Sequence, residues 1–91
     1  MREATLRGAT LDHADLGEAK LASADVQRAD LLGANLREAD LTAANFDAAS
    51  LEDADLSSAR MGGATLRASR LVGTKFTGVD LSAANLTGAV F

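Results

Sequence analysis

The side chains of this sequence that could carry chemistry are mostly carboxylates, because its 91 residues include 13 Asp and Glu, one His and no Cys. The absence of Cys excludes disulfides and thiolate metal sites. His13 is the single histidine, and we expect it on an outer turn without the cleft that a Ser/His/Asp arrangement needs. The residue types therefore predict a protein that is not an enzyme and that holds no metal or cofactor.

A period of five residues runs through the whole chain. Every fifth residue from Leu6 to Phe91 is large and apolar, eighteen in all. The residue two places earlier is Ala in fifteen cases, and it is Ser69, Thr74 or Val79 in the other three. Neither a helix nor a flat strand brings residues at this spacing to one side. A chain that turns a corner every five residues does, with the large and the small residue both facing inward.

The glycines agree with a turn in each repeat. Six of the eight glycines lie two residues after the central apolar residue, at Gly8, Gly33, Gly63, Gly73, Gly78 and Gly88. If the turn begins at the apolar residue, this is its third position, where a type II turn requires positive φ.

The repeated pattern A-(D/N)-L-x-x resembles the pentapeptide-repeat family over essentially the whole chain. The resemblance implies a right-handed quadrilateral parallel β-helix (a β-solenoid), in which four repeats form one coil of about 20 residues. Residues 1–91 would then form a single domain of about 4.5 coils.

The charges support a coil of four repeats independently. Residues one coil apart would lie ~4.8 Å apart on the outer wall, where opposite charges attract and like charges repel. An offset of 20 gives five opposite-charge pairs and one like pair, Glu18 with Glu38, whereas offsets of 15 and 25 give more like pairs. The wrapping predicts an ion ladder of Lys20, Asp40, Arg60 and Asp80 on one wall.

Wrapped in this way, most of the acids gather on two adjacent walls. We call this predicted surface the acidic face. With Arg37 as the only opposing base, it contains Asp12, Asp15, Glu18, Asp30, Glu38, Glu52, Asp53 and Asp55.

Two functions compete for this surface. The first is a structural or protein–protein interaction module that uses the acidic face against a basic protein. The second comes from the resemblance, since some family members mimic DNA and occupy the DNA-binding saddle of DNA gyrase. A rod of ~20 Å with bases at one end reproduces little of the charge density of a duplex. We expect no direct nucleic-acid binding, because the basic residues lack aromatic neighbours for stacking.

The C-terminal repeats carry two further expectations. Val90 and Phe91 are apolar at one end of the stack, which predicts an end-to-end homodimer there. The larger residues Ser69, Thr74 and Val79 at the small position should widen the coil locally. No apolar run approaches the ~18 residues of a membrane span or the core of a signal peptide, so the default expectation is a cytoplasmic location.

Overall fold

The computed structural model describes residues 5–91, which form a four-walled parallel β-helix. Thirteen parallel bridges hold it together, and each joins residues at an offset of 20, as in Asp15 with Asn35 and Asn35 with Asp55. This confirms the coil period. Over residues 5–91 there is no helix, and no strand is longer than one bridge residue, because the chain turns again before a second can pair. None of these residues lies in a helix that could cross a membrane.

Each repeat closes with a tight turn. The N–H group three residues after the central apolar residue donates to that residue's carbonyl, as from Ala14 to Leu11 at 3.0 Å. Positive φ is found two residues after the centre in sixteen repeats, for example at Gly63 with 74° and at His13 with 60°. Ala83 is the exception among the described repeats. The glycine pattern therefore indicated the right turn position, although ten of the sixteen residues are not glycine.

The interior is a dry stack of Leu and Ala with one phenylalanine in the middle. Leu36, Leu41, Phe46, Leu51 and Leu56 are fully buried, and the small residues between them are buried as well. The repeats nearest the two ends of the described range are only partly buried. The hydrophobic core therefore lies in the central coils, where each large side chain packs against neighbours in the coils on both sides.

One wall of the β-helix lacks part of its backbone hydrogen-bond ladder, between residues 59–63 and 80–82. One coil earlier the ladder of the same wall is complete, because the N–H groups of Leu41, Ala43 and Arg60 all donate to the facing coil at 2.8–2.9 Å. The three equivalent bonds are missing between residues 59–63 and 80–82, and these are the only such gaps between facing coils in residues 5–91. They would join Met61 N to Asp80 O, Gly63 N to Ser82 O, and Asp80 N to Ala59 O. We call this gap between residues 59–63 and 78–83 the ladder notch.

Two departures from the repeat lie at the ladder notch. Val79 occupies a position that holds Ala in most repeats and is larger, and Ala83 lacks the positive φ of the other described turns. Ser69 and Thr74 also replace Ala, but their hydroxyl groups donate at 2.6 Å to the carbonyls of Leu66 and Leu51, and their walls stay bridged. The expected local disruption therefore occurs at Val79 and not at the two hydroxyl residues.

Candidate interaction surface

The backbone alignment that the predicted ion ladder requires is present in part. Parallel bridges place Lys20 beside Asp40 and Asp40 beside Arg60. The prediction was wrong for the last member, because Arg60 and Asp80 face each other across the ladder notch and are not bridged. The backbone hydrogen bonds that would hold these two residues side by side are missing at this point of the wall.

Most ion pairs in residues 5–91 run diagonally between coils. The predicted pair of Arg67 and Asp47, one full coil apart, forms at 2.9 Å. The other three pairs fall two positions short of a full coil, and they are Arg7 with Asp25 at 3.1 Å, Arg37 with Asp55 at 3.9 Å, and Arg70 with Glu52 at 3.1 Å. Arg70 therefore reaches back to the acidic face, so Arg37 is not its only opposing base. The sequence comparison covered only residues one full coil apart. It missed these pairs because a long Arg side chain can reach an acid two positions short of a full coil.

Three acids of the acidic face are held by their own turns. Asp15, Asp30 and Asp55 each accept the backbone N–H two residues ahead, at 3.0–3.2 Å. Asp55 also accepts the Ser57 hydroxyl at 2.6 Å and pairs with Arg37. These carboxylates satisfy turn N–H groups that would otherwise have no partner. Their first role is therefore to build the fold.

The remaining acids of the acidic face divide into one paired and four free carboxylates. Glu52 is the paired residue, through Arg70. The other four side chains make no hydrogen bond or ion pair within residues 5–91, and all four are exposed: Asp12, Glu18, Glu38 and Asp53. These are the carboxylates that the fold leaves available to a partner.

Glu18 and Glu38 form a ridge of like charge at one corner of the β-helix. They occupy equivalent positions in adjacent coils, which lie ~4.8 Å apart, and both have positive φ, 60° and 61°. Shallow depressions of about 370 and 470 Å³ flank the ridge, the first lined by Arg37 and the second by Lys20 and Arg60. We call Glu18 and Glu38 the glutamate ridge.

Four aspartates have a lowered pKa, and hydrogen bonds are the cause. The backbone N–H of Gln27 is the largest influence that lowers the pKa of Asp25. Burial would raise the pKa of Asp47, but the Arg67 backbone N–H and guanidinium outweigh burial and lower it. The hydroxyl and backbone N–H of Ser57 lower the pKa of Asp55, and those of Ser82 lower that of Asp80. These bonds favour the ionised form.

Acid should therefore unfold the protein progressively. A carboxyl with a lowered pKa in the folded state stabilises the fold above its unfolded value, 3.8 for Asp, and this contribution is lost as the pH falls through the folded pKa. We expect the urea midpoint to be flat above about pH 5 and to fall steadily below it. The Asp47→Asn/Asp55→Asn double variant should show a shallower fall. A midpoint that rises on acidification would contradict these assignments.

The part of the chain that the structure describes contains no cluster of metal-ligating side chains. No group of three or more His, Asp or Glu side chains in residues 5–91 is arranged to hold a metal ion. His13 lies on an outer turn as expected, with its ring over Gly33 one coil away, where an added Cβ would come within 2.6 Å of Nδ1. This histidine covers a glycine turn.

Val90 and Phe91 are the most exposed large apolar residues in the described range, at 56% and 67%. The N–H of Val90 donates to the carbonyl of Ser69 at 2.9 Å, so the backbone at this point is held in the ladder although both side chains are exposed. Their exposure is compatible with the dimer that the sequence suggested, which stays a prediction.

The chain belongs to the pentapeptide-repeat family. The family described as pentapeptide repeats (8 copies) matches residues 1–37, 34–71 and 54–91, which together cover the whole sequence. The four-walled β-helix and the inward-facing Leu and Ala are the structural form of these repeats. The chain matches no functionally curated protein sequence.

Solved structures of other pentapeptide-repeat proteins have the same fold. The chain is 34% identical to alr5209 from Nostoc PCC 7120, with a TM-score of 0.86, over 97% of this chain and 80% of that one. It is 32% identical to Rfr23 from the cyanobacterium Cyanothece 51142, with a TM-score of 0.80, over 99% of this chain and 58% of that one. The present sequence thus spans little more than half of Rfr23.

A more distant likeness concerns the fold alone. A trypsin-treated form of QnrB1, a plasmid-mediated fluoroquinolone resistance protein, is 24% identical, with a TM-score of 0.54, over 88% of this chain and 51% of that one. At this identity the comparison supports a shared β-helix and carries no assignment of function.

Proposed function

We propose that this chain is a non-enzymatic protein-interaction module, a right-handed β-helix of about 4.5 coils, whose contact surface is the glutamate ridge with its neighbouring free carboxylates. Proteins of the pentapeptide-repeat family are generally structural or interaction modules. The partner that suits this surface is a protein with a basic segment, because Arg or Lys side chains could pair with Glu18 and Glu38.

The observation that supports this proposal is that the glutamate ridge opposes folding in two ways. Like charges in adjacent coils repel each other, and positive φ is unfavourable for any residue with a Cβ. Glycine occupies the equivalent turn position in six other repeats, but eight further non-glycine residues share the positive φ, so the repulsion between the two carboxylates is what distinguishes the ridge. Residues that are unfavourable for stability and lack internal partners are typical of functional surfaces.

The ridge can be tested with a basic probe, since the natural partner is unidentified. We expect a deca-arginine peptide, added to ¹⁵N-labelled protein at low salt, to shift the amide signals of Gly17, Glu18, Arg37 and Glu38 before others. The Glu18→Gln/Glu38→Gln variant should lose most of the affinity. The Asp25→Asn/Asp47→Asn variant carries the same change of net charge away from the ridge and should bind almost as tightly. Equal weakening in both variants would mean that only net charge matters and would overturn the proposal.

The second candidate is a DNA mimic that binds DNA gyrase through the acidic face. Its support is the cluster of carboxylates on two adjacent walls. Against it stand Arg37 and Arg70, which pair with Asp55 and Glu52 inside the acidic face and interrupt its negative charge. A gyrase supercoiling assay separates the candidates. Inhibition that disappears on neutralising Asp15, Glu38 and Asp55 would favour mimicry, and no inhibition at micromolar protein would reject it.

An end-to-end homodimer through Val90 and Phe91 is a separate proposal. Its support is the exposure of both side chains, together with the incomplete burial of Leu81 and Leu86 in the same last repeats. Light scattering at high protein concentration should give a dimer mass that falls to the monomer mass in the Phe91→Ser variant. A monomer mass for the unaltered protein would reject it.

A further inference from the structure

The backbone hydrogen bonds between coils have a direction. On each wall two N–H groups donate forward, to the next coil toward the C-terminus, and one N–H group of that coil donates back. The forward bonds of one wall run from Leu36 to the Asp55 carbonyl at 2.8 Å, and from Glu38 to the Ser57 carbonyl at 3.0 Å. The return bond runs from the Asp55 N–H to the Ala34 carbonyl at 2.9 Å. Apart from the ladder notch, the walls between complete described coils repeat this pattern.

The last coil therefore has an excess of free donors. Its N–H groups in the forward-donating positions have no acceptor within residues 5–91, and they belong to Gly73, Phe76, Gly78, Leu81, Ala83, Leu86 and Gly88. Only the carbonyls of residues 74, 79, 84 and 89 occupy the position that accepts a return bond. We call these N–H groups and carbonyls the donor edge.

The first described coil has the opposite excess. Its carbonyls in the positions that accept forward bonds have no donor within residues 5–91, and they belong to Thr5, Arg7, Thr10, Asp12, Asp15, Gly17, Lys20 and Ala22. Only the N–H groups of Thr10, Asp15 and Lys20 are free to donate a return bond. We call this set the acceptor edge. Every coil has the same polarity, so a longer stack of these coils would also have one edge of each kind.

We propose that copies of this chain stack head to tail, with the donor edge of one copy on the acceptor edge of the next. This inference rests on the end-to-end contact proposed above and specifies which two ends meet. In this arrangement the forward and return bonds continue across the contact in the pattern of the walls themselves. Two donor edges placed together would instead bury N–H groups without enough acceptors, which is unfavourable.

The distribution of charge favours the same arrangement. Residues 1–55 contain twelve acids and five bases, a net charge of −7, whereas residues 56–91 contain one acid and four bases, a net charge of +3. The chain advances along the stack by one coil every 20 residues, so the acids gather toward the acceptor edge and the bases toward the donor edge. Head-to-tail stacking brings unlike charges together, and contact between two donor edges brings like charges together.

The apolar interior is incompletely covered at both edges. Leu11 and Leu16 in the first coil and Leu81 and Leu86 in the last are only half-buried, although the equivalent large residues of the central coils are fully buried. Each central coil has a neighbour on both sides, and a second copy would supply the missing neighbour at each edge. Because this contact is not two-fold symmetric, a dimer retains one free edge of each kind, and further copies add as the concentration rises.

Two proline variants test the direction of stacking. Leu86→Pro removes a free N–H from the donor edge, and Thr10→Pro removes one from the acceptor edge, and each ring obstructs an incoming copy. Neither N–H has a partner within residues 5–91, so the ladder inside each copy is retained. Slow hydrogen exchange of the Leu36 and Leu41 amides checks that the central coils remain folded in both variants.

Sedimentation velocity, at a concentration where the unaltered chain associates, gives the answer. Each variant alone should be a monomer, and a 1:1 mixture should form a dimer with one copy of each, because Leu86→Pro keeps its acceptor edge and Thr10→Pro keeps its donor edge. The mixed dimer should weaken as salt is added. A mixture that stays monomeric would overturn the proposal.

Two other outcomes separate this inference from the proposals on which it could depend. A homodimer of Thr10→Pro alone would show that two donor edges meet, which retains the proposed dimer and overturns its head-to-tail geometry. An unaltered chain that stays monomeric at high concentration would overturn both. The glutamate ridge has its own test with the arginine peptide, and neither outcome affects it.

Discussion

Replacing Phe46 by alanine should lower the free energy of unfolding by about 3–5 kcal/mol, the range measured for large aromatic truncations in packed cores. Phe46 is fully buried and is the largest side chain in the interior. Val26 and Leu66 occupy the equivalent positions in the adjacent coils and are nearly or fully buried themselves. The cavity cannot collapse easily, because both neighbouring coils are fixed by backbone ladder bonds.

Urea unfolding measures this change, with Leu32→Ala as the matched control. Leu32 is also large and apolar but is 39% exposed on the outer wall, so its truncation should change the stability by less than ~1 kcal/mol. If Phe46→Ala were as mild as Leu32→Ala, the interior described here would be wrong.

Enlarging a small interior residue should also be costly. Ala54 is fully buried between the large residues of its coil, and its N–H donates to the Leu51 carbonyl at 3.0 Å within the turn. Ala54→Leu should lower the free energy of unfolding by about 1–3 kcal/mol, because a packed interior accepts extra methylene groups only by moving the backbone. Val79 is a natural example of this strain, since the wall beside it is open.

Ala43→Leu is the control for that change. Ala43 is exposed on a turn and already has positive φ, 59°, so a longer side chain there adds no new backbone conformation and extends into water. Urea midpoints of the two variants should therefore differ clearly. Equal midpoints would mean that the Ala positions do not limit the width of the coil.

Much of this fold is predictable from the sequence because each repeat forms the same short extended segment and turn. A large residue every five positions with Ala two places earlier determines which side chains face inward, and opposite charges in equivalent positions of successive coils indicate the coil period. The ladder notch was harder to predict. Ser69, Thr74 and Val79 look alike as departures from Ala, but only the hydroxyl groups of the first two can bond a carbonyl and stay within the wall.

The sequence predicted which acids lie on the acidic face, but not which of them are hydrogen-bonded within the fold and which are left without such a bond. Sequence position alone groups Asp55 with Glu38, although Asp55 accepts a hydrogen bond from its own turn and the Glu38 side chain has no partner within residues 5–91. A usable signal existed, because Asp and Asn recur immediately before the central apolar residue, where a short side chain reaches the N–H two residues ahead. The diagonal Arg pairs had no such signal, since their geometry depends on side-chain conformation.

The central claim is that the fold uses some carboxylates and leaves others to a partner, and one comparison of two variants tests it. Asp55→Ala removes bonds from the Ser57 N–H at 3.0 Å and hydroxyl at 2.6 Å, and it should lower the free energy of unfolding by about 1 kcal/mol. Glu38→Ala removes a repulsive neighbour of Glu18 and should leave the urea midpoint unchanged or raise it. A loss of stability in Glu38→Ala equal to that in Asp55→Ala would contradict the claim, because the glutamate ridge would then belong to the fold itself.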